Sequence, residues 1–330
     1  MNRPGAKTDI VDFGRMCTMG IVRATEAAAL AAASFTGRGD EMGGDEAALD
    51  AMAVQLQKLP VGGKVIVGEQ GYSDNEQLVA GALIGEGGKH EADIALMPLE
   101  GSSINARALS NALSVIVIAQ KDTLLRVPPI YMEKIAIGPG FAQGVVGLDR
   151  TPKDNIEALA KAKGVDAHEL TVCILDRSRH GKLIEDVRAA GAAIRLIGDG
   201  DIAGVIQTTD TDETGIDMYL GIGGADQGIL AAAALRCAGG QIEGRLLVRD
   251  KDDQKLMDKY EIVDVAKIYT LNDMISGDVS FAATGVTDGY LLDGVRKMGS
   301  RASTQSIVMR ASTGSVRIID ATHNHVLKMG

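Results

Sequence analysis

Apolar and polar positions change their period several times along this chain, and each change predicts an element. From Asp9 to Phe35 apolar residues recur at helical spacing and the second half turns Ala-rich, which predicts one or two helices. Gly37-Arg38-Gly39-Asp40 interrupts that pattern. It resumes from Asp45 to Leu59 through Ala48, Leu49, Met52, Val54 and Leu56, until Pro60 stops it. Strands then follow: Lys64 to Gly68 is a short β-branched run, and Asp93 to Leu96, Ser114 to Ala119 and Lys134 to Ile137 have the same character.

After the turn Asp149-Arg150-Thr151-Pro152 the pattern becomes an alternation. Helices are predicted over Asn155 to Lys163, Lys182 to Ala190, Ile202 to Gln207 and Gln227 to Cys237. Strands are predicted over Leu170 to Leu175, Ala193 to Ile197 and Ile216 to Gly221. Such alternation predicts parallel βαβ units and an α/β class. The tail, Val279 to Ala283 and Ser306 to Ile319, reads as strands with a hairpin at Thr313-Gly314. A boundary near residue 150 is therefore expected, with domains at 1–150 and 151–330.

Composition narrows the class of partner. The 330 residues are 45% hydrophobic and 24% charged, ordinary values for a globular protein of one large or two medium domains. No apolar run approaches the roughly 20 residues of a membrane span, and charged Lys7, Asp9 and Asp12 sit where a signal peptide needs its apolar stretch. A cytoplasmic protein without membrane attachment is expected. Cys17, Cys173 and Cys237 form no CxxC pair and read as reduced, buried thiols. The net charge of -10 speaks against nucleic-acid binding, so an anionic ligand needs a local basic pocket.

Residues just past strand ends carry the candidate chemistry. Glu69 follows the Val65 to Val67 strand and suits a hard cation, though a surface acid there is common. Glu100-Gly101-Ser102 follows the next strand and enters a helix, a place for a phosphate oxygen or simply a cap. Asp176-Arg177-Ser178-Arg179-His180 presents two guanidinium groups suited to a phosphate, with His180 either an acid–base group or a helix-start residue. Asp199 and Asp201 suit sugar hydroxyls, Asp201 alternatively an N-cap. Gly221-Ile222-Gly223-Gly224 is not a dinucleotide loop, because position 226 is Asp rather than Gly.

Taken in order, these motifs resemble the class II fructose-1,6-bisphosphatases. They are Gly37-Arg38-Gly39-Asp40 with Asp45, Val67-Gly68-Glu69, Pro98-Leu99-Glu100-Gly101-Ser102, Tyr131-Met132-Glu133-Lys134, Ile137-Gly138-Pro139, Asp176-Arg177 through His180, Asp199-Gly200-Asp201, Gly221-Ile222-Gly223-Gly224, and Ala283-Thr284-Gly285 through Gly289. The resemblance spans about residues 20 to 322. It implies a layered α-β-α-β-α sandwich of the sugar-phosphatase type in two domains, the first for metal and phosphate and the second for the sugar. It implies hydrolysis of fructose 1,6-bisphosphate in carbohydrate metabolism (gluconeogenesis) by a water activated by Mg²⁺ or Mn²⁺, and a homo-oligomer. Asp45, Glu69 and Glu100 fall on metal positions, with Glu100 and Ser102 as the catalytic pair. Gly101, Ser102, Tyr131, Arg177, Ser178, Arg179, Asp199, Asp201 and Gly224 fall on substrate-binding positions.

The departures concentrate on the metals. Where the family has Asp before the motif's Pro this chain has Met97, a soft uncharged thioether. Where the family has Glu after the glycines it has Gln227. The loop after Glu69, Gln70-Gly71-Tyr72-Ser73-Asp74, also differs, with Gly71 at an acidic position of the family. Alongside a working bisphosphatase, two alternatives follow: a phosphosugar-binding pseudoenzyme, and an enzyme for a related phosphorylated sugar or cyclitol.

Overall fold

The computed structural model describes residues 9–69, 78–86 and 91–324, with side chains from residue 16 onward. The loop Gln70 to Asp74 lies outside the described residues. In chain order the first part comprises α1 (Asp9–Ala32), α2 (Glu41–Leu56), β1 (Gly63–Val67), β2 (Leu83–Ile84), β3 (Ala92–Glu100), α3 (Ser102–Ala106), β4 (Leu113–Gln120) and β5 (Tyr131–Ile137). The middle comprises α4 (Pro152–Lys163), β6 (Thr171–Leu175), α5 (Gly181–Ala189), β7 (Ala193–Ile197), α6 (Asp201–Ile206), α7 (Thr211–Thr214), β8 (Met218–Gly224) and α8 (Ala225–Ala238). There follow β9 (Gln241–Leu247), α9 (Lys251–Lys259), β10 (Ile268–Thr270), α10 (Leu271–Met274), β11 (Val279–Gly285), β12 (Arg296–Met298), β13 (Arg301–Arg310) and β14 (Ser315–Asn324). Among the described residues no helix is long and apolar enough to cross a membrane.

The strands form two sheets. The first runs β12-β13-β11-β4-β3-β1-β2 with β14 on β13, and the second runs β10-β9-β5-β8-β6-β7. Alternation along β4 explains the layering: Ile116 and Ile118 face α1 and α2, whereas Val115 and Val117 face a core shared with α6, α8 and the second sheet. On β5, Met132 and Ala136 join that shared core while Ile135 and Ile137 pack with Ile156 and Leu159 of α4. Five layers result, α-β-α-β-α, as the resemblance implies.

The middle layer depends on small residues. Ala231, Ala232, Ala233 and Ala234 are all fully buried, because α8 has a sheet on each side. A larger side chain there overpacks one interface or the other, at a cost of about 1–3 kcal/mol.

The parallel units expected from the alternation are present, β6 pairing with β7 and β8 in parallel, and β5 and β9 extend that sheet by antiparallel pairs, β5 with β8 and with β9. Two expectations change. The division at residue 150 does not follow the sheets, since β5 precedes it yet sits in the second sheet, while β11 to β14 follow it yet complete the first. Finally, β3 does not stop at Leu96, where the predicted strand ends, but runs through Pro98 to Glu100. Its register against β4 shifts between Met97 and Glu100, which places Pro98, lacking an N–H, where no ladder bond is needed.

Candidate active site

The irregular end of β3 delivers Glu100, Gly101 and Ser102 to a point where α2, the end of β1 and the start of α8 converge. Ser102 Oγ donates to Asp45 Oδ1 on α2 at 2.5 Å. Burial raises the Asp45 carboxyl, the Ser102 bond works against that, and nearby Glu41 adds to it. Glu69 is held just past β1 by its N–H to the Leu78 carbonyl at 3.1 Å. Burial, then the charges of Asp45 and Asp226, push its carboxyl up to about 7. Three carboxylates from three elements thus share one region and disfavour each other's charge, an arrangement that a cation relieves. Asp226 did not stand out in the sequence, although an acid in the first turn of a helix that opens on a glycine strand was its signal.

Glu100 is only 3% exposed. Its Oε1 accepts from the Ile202 N–H at 3.0 Å, and its Oε2 has no partner among the described residues. Burial holds its carboxyl well above the ordinary range; the Ile202 bond and Lys134 oppose this, and Asp201 and Asp199 reinforce it. An orphaned carboxyl oxygen in the interior is costly unless something pairs with it. The neighbouring Gly101 has φ +85°, and a Cβ there would sit 2.7 Å from Ile104, so glycine is required at this turn.

The sugar-side candidates lie at the matching end of the second sheet. Arg177 pairs with Asp199 at 3.5 Å, and Asp199 accepts from the Gly200 N–H at 3.1 Å and from Ser103 Oγ at 3.5 Å. Arg179 donates through Nε and Nη2 to the Ile222 carbonyl at 3.1 and 2.7 Å and lies 4.8 Å over the Tyr131 ring. Ser178 is exposed in the turn Ser178–His180. Tyr131 stands opposite Gly224 in the β5–β8 register, and both line an open cleft of about 300 Å³ with Asp226, Gln227 and Arg249.

Asp201 is turned inward. It is 5% exposed, ion-paired to Lys134, and accepts from Tyr219 OH at 2.8 Å. Lys134, fully buried, also donates to the Gly224 carbonyl at 2.8 Å. Sequence reasoning named Lys134 only as part of the Tyr131–Lys134 motif, without a role, and did not flag Tyr219; a lysine inside an apolar strand was the available signal, because such a charge requires a buried partner. His180 is likewise committed: Nδ1 donates to the Leu175 carbonyl at 2.7 Å and Nε2 accepts from the Ile222 N–H at 2.8 Å. Burial lowers its pKa, so the ring is neutral and serves the β6–β8 junction rather than proton transfer.

The two substituted positions touch. Gln227 Nε2 donates to Met97 Sδ at 3.7 Å, while Gln227 Oε1 lies so near Gly224 that a Cβ there would be 1.8 Å away. Asp45 and Glu69 fit a hard divalent cation. Met97 and Gln227, a thioether and an amide engaged with each other, do not. A separate cleft of about 750 Å³ lies elsewhere, lined by Arg236, Gly239 and Gln241 at the other end of α8.

Residues 15–323 match the family described as bacterial fructose-1,6-bisphosphatase, glpX-encoded. The chain is 34% identical over 328 residues to a D-fructose 1,6-bisphosphatase class 2/sedoheptulose 1,7-bisphosphatase of Synechococcus sp., covering 92% of this chain and 94% of that protein. It is 35% identical over 314 residues to fructose-1,6-bisphosphatase 1 class 2 of Escherichia coli, covering 91% and 93%. Likeness to a solved extragenic suppressor from Pyrococcus furiosus is slight, with a TM-score of 0.31 and 16% identity over 60% of this chain and 70% of that one.

Proposed function

This chain belongs to the bacterial class II fructose-1,6-bisphosphatase family, a membership that implies a divalent cation, and on that premise we propose that it hydrolyses a sugar bisphosphate to the monophosphate and inorganic phosphate. Fructose 1,6-bisphosphate is the first substrate to try, with sedoheptulose 1,7-bisphosphate second, and Mg²⁺ or Mn²⁺ as the cation. The observation that carries the reading is the meeting of Asp45, Glu69 and Ser102, with Glu69 titrating near 7. Perturbed carboxylates gathered at strand ends in this way mark functional sites.

Asp45 and Glu69 would hold the cation, which would supply charge to polarise the phosphoryl group and acidify an attacking water. Asp45 also fixes the Ser102 hydroxyl, so that Ser102 and the Gly101 backbone face the phosphate to be cleaved. Glu100, whose carboxyl burial holds well above the ordinary range, would hold or donate a proton at the leaving oxygen. Arg177 and Arg179 hold the far end of the sugar phosphate, and Asp199 orients Arg177. Phosphate release should require added cation and should fall at least about 10–100-fold in Asp45→Asn and Glu69→Gln. Loss of neither would remove this reading.

The Met97–Gln227 contact favours a second reading, in which the chain binds phosphosugars without turning them over. Substrate binding with no release in any divalent cation would select it. Under either reading the partner is a phosphorylated sugar in a reducing cytoplasm, consistent with three buried free thiols. A homo-oligomer goes with the family.

A further inference from the structure

Arg249 is half-exposed, yet it is held on two sides. Its Nε and Nη2 donate to Asp253 Oδ2 and Oδ1 at 2.8 and 3.1 Å, a bidentate fork to a nearly buried carboxylate. Its guanidinium lies 4.3 Å over the Tyr131 ring, which also carries Arg179 at 4.8 Å. The Nη1 atom makes no hydrogen bond among the described residues. An arginine at a protein surface ordinarily keeps its rotamer freedom. This one has lost it within the fold, and its side chain lines the 300 Å³ cleft beside Tyr131 and Gly224.

The topology brings these groups together. Tyr131 begins β5 and is paired with Gly224 at the end of β8 on one side and Leu247 at the end of β9 on the other. Arg249 comes two residues after Leu247 and folds back over the tyrosine, fixed by the first turn of α9, whose N-cap Asp250 accepts from the Asp252 and Asp253 N–H groups. Asp226 lines the same cleft, so an anion there meets one opposing carboxylate as well as the guanidinium.

We propose that Arg249 contacts the substrate, reading the phosphate that the reaction leaves on the sugar, with Asp253 and the Tyr131 ring setting the guanidinium in place beforehand. The assignment rests on the phosphosugar reading above. Preorganisation of this kind improves binding by removing the ordering cost when the ligand arrives.

Calorimetric titration of the full chain with fructose 6-phosphate, inorganic phosphate and unphosphorylated fructose tests it, using wild type, Arg249→Gln and Arg249→Lys, with thermal melts to confirm folding. Arg249→Gln should weaken fructose 6-phosphate by about 10–100-fold, the range for losing a charge-assisted bond. Arg249→Lys, which keeps the charge without the planar fork, should fall between. In turnover, Arg249→Gln should raise KM for the bisphosphate more than it lowers kcat. Affinity within about twofold of wild type in folded Arg249→Gln overturns the proposal, by the same affinity arithmetic. Wild type binding neither phosphate probe overturns it along with the phosphosugar reading. Wild type binding inorganic phosphate alone, with that binding lost in Arg249→Gln, upholds the role of Arg249 and sinks the sugar. Arg249-dependent binding of fructose 6-phosphate without hydrolysis upholds it and sinks only the hydrolase.

Discussion

Gln227 at the start of α8, in the middle layer, donates its amide to the thioether of Met97 on β3 of the first sheet, at 3.7 Å. The two positions where the resemblance implies metal-ligand carboxylates are here closed by a neutral contact. A hard cation gains little from either group, and separating them gains nothing for the interior. Manganese titration followed by electron paramagnetic resonance should therefore count one bound ion per wild-type chain and two in Met97→Asp/Gln227→Glu. Two ions in the wild type would contradict the one-cation site.

Glu69 gives the site its pH dependence. In the cation-free chain its carboxyl titrates at about 7, above the ordinary 4.5, so the folded form binds that proton more tightly than the unfolded form does. Stability then falls as pH rises from about 4.5 to about 7, by at most ~3 kcal/mol at 1.36 kcal/mol per unit. Melts in chelator between pH 5 and 8 should show that decline, flattened in Glu69→Gln. Cation affinity should run the opposite way, rising about tenfold per unit below pH 7 as one proton is displaced.

His180 bridges the Leu175 carbonyl and the Ile222 N–H. His180→Ala leaves both backbone groups without their partner and should destabilise by about 1–3 kcal/mol in urea. The pH profile of turnover should keep its shape, since the imidazole carries no proton in the reaction. A lost limb in that profile would return His180 to the acid–base role.

Lys134 and Asp201 neutralise each other between β5 and α6. Lys134→Met leaves the Asp201 carboxylate uncompensated in the interior, beside an already raised Glu100. The expected cost is about 3–5 kcal/mol in urea unfolding. Lys134→Met/Asp201→Asn should recover part of that loss, because the buried charge is gone from both sides.

The layered fold was legible because the patterns that build it are local. Apolar periods located α2, β1, β4, α4 and α8 within a few residues, and the hairpin at Thr313-Gly314 was visible from its turn. The stretch from Gln241 to Met274 yielded nothing, since β9 has only Ile242, Leu246 and Leu247 as apolar positions and α9 is mostly charged. Arg249, which lines the cleft, and Asp253, which holds its guanidinium, lie in that stretch, so this cationic side of the cleft was invisible. Asp45, Glu69, Glu100 and Arg177 could be named because strand-end residues are few and their chemistry is distinctive. Asp201 could be named too, but its inward turn could not, because that depends on Lys134 arriving from a strand 67 residues away. Met97 and Gln227 were readable singly as departures. Their contact, 130 residues apart in the chain, is a product of the fold.

Phosphate release from fructose 1,6-bisphosphate, measured with Mg²⁺ and Mn²⁺ beside substrate binding on the same preparation, tests the central claim most directly. Wild type should release phosphate only with cation, and Met97→Asp/Gln227→Glu should release it faster. Tight binding with no release in either cation, unchanged by that double substitution, would contradict the account.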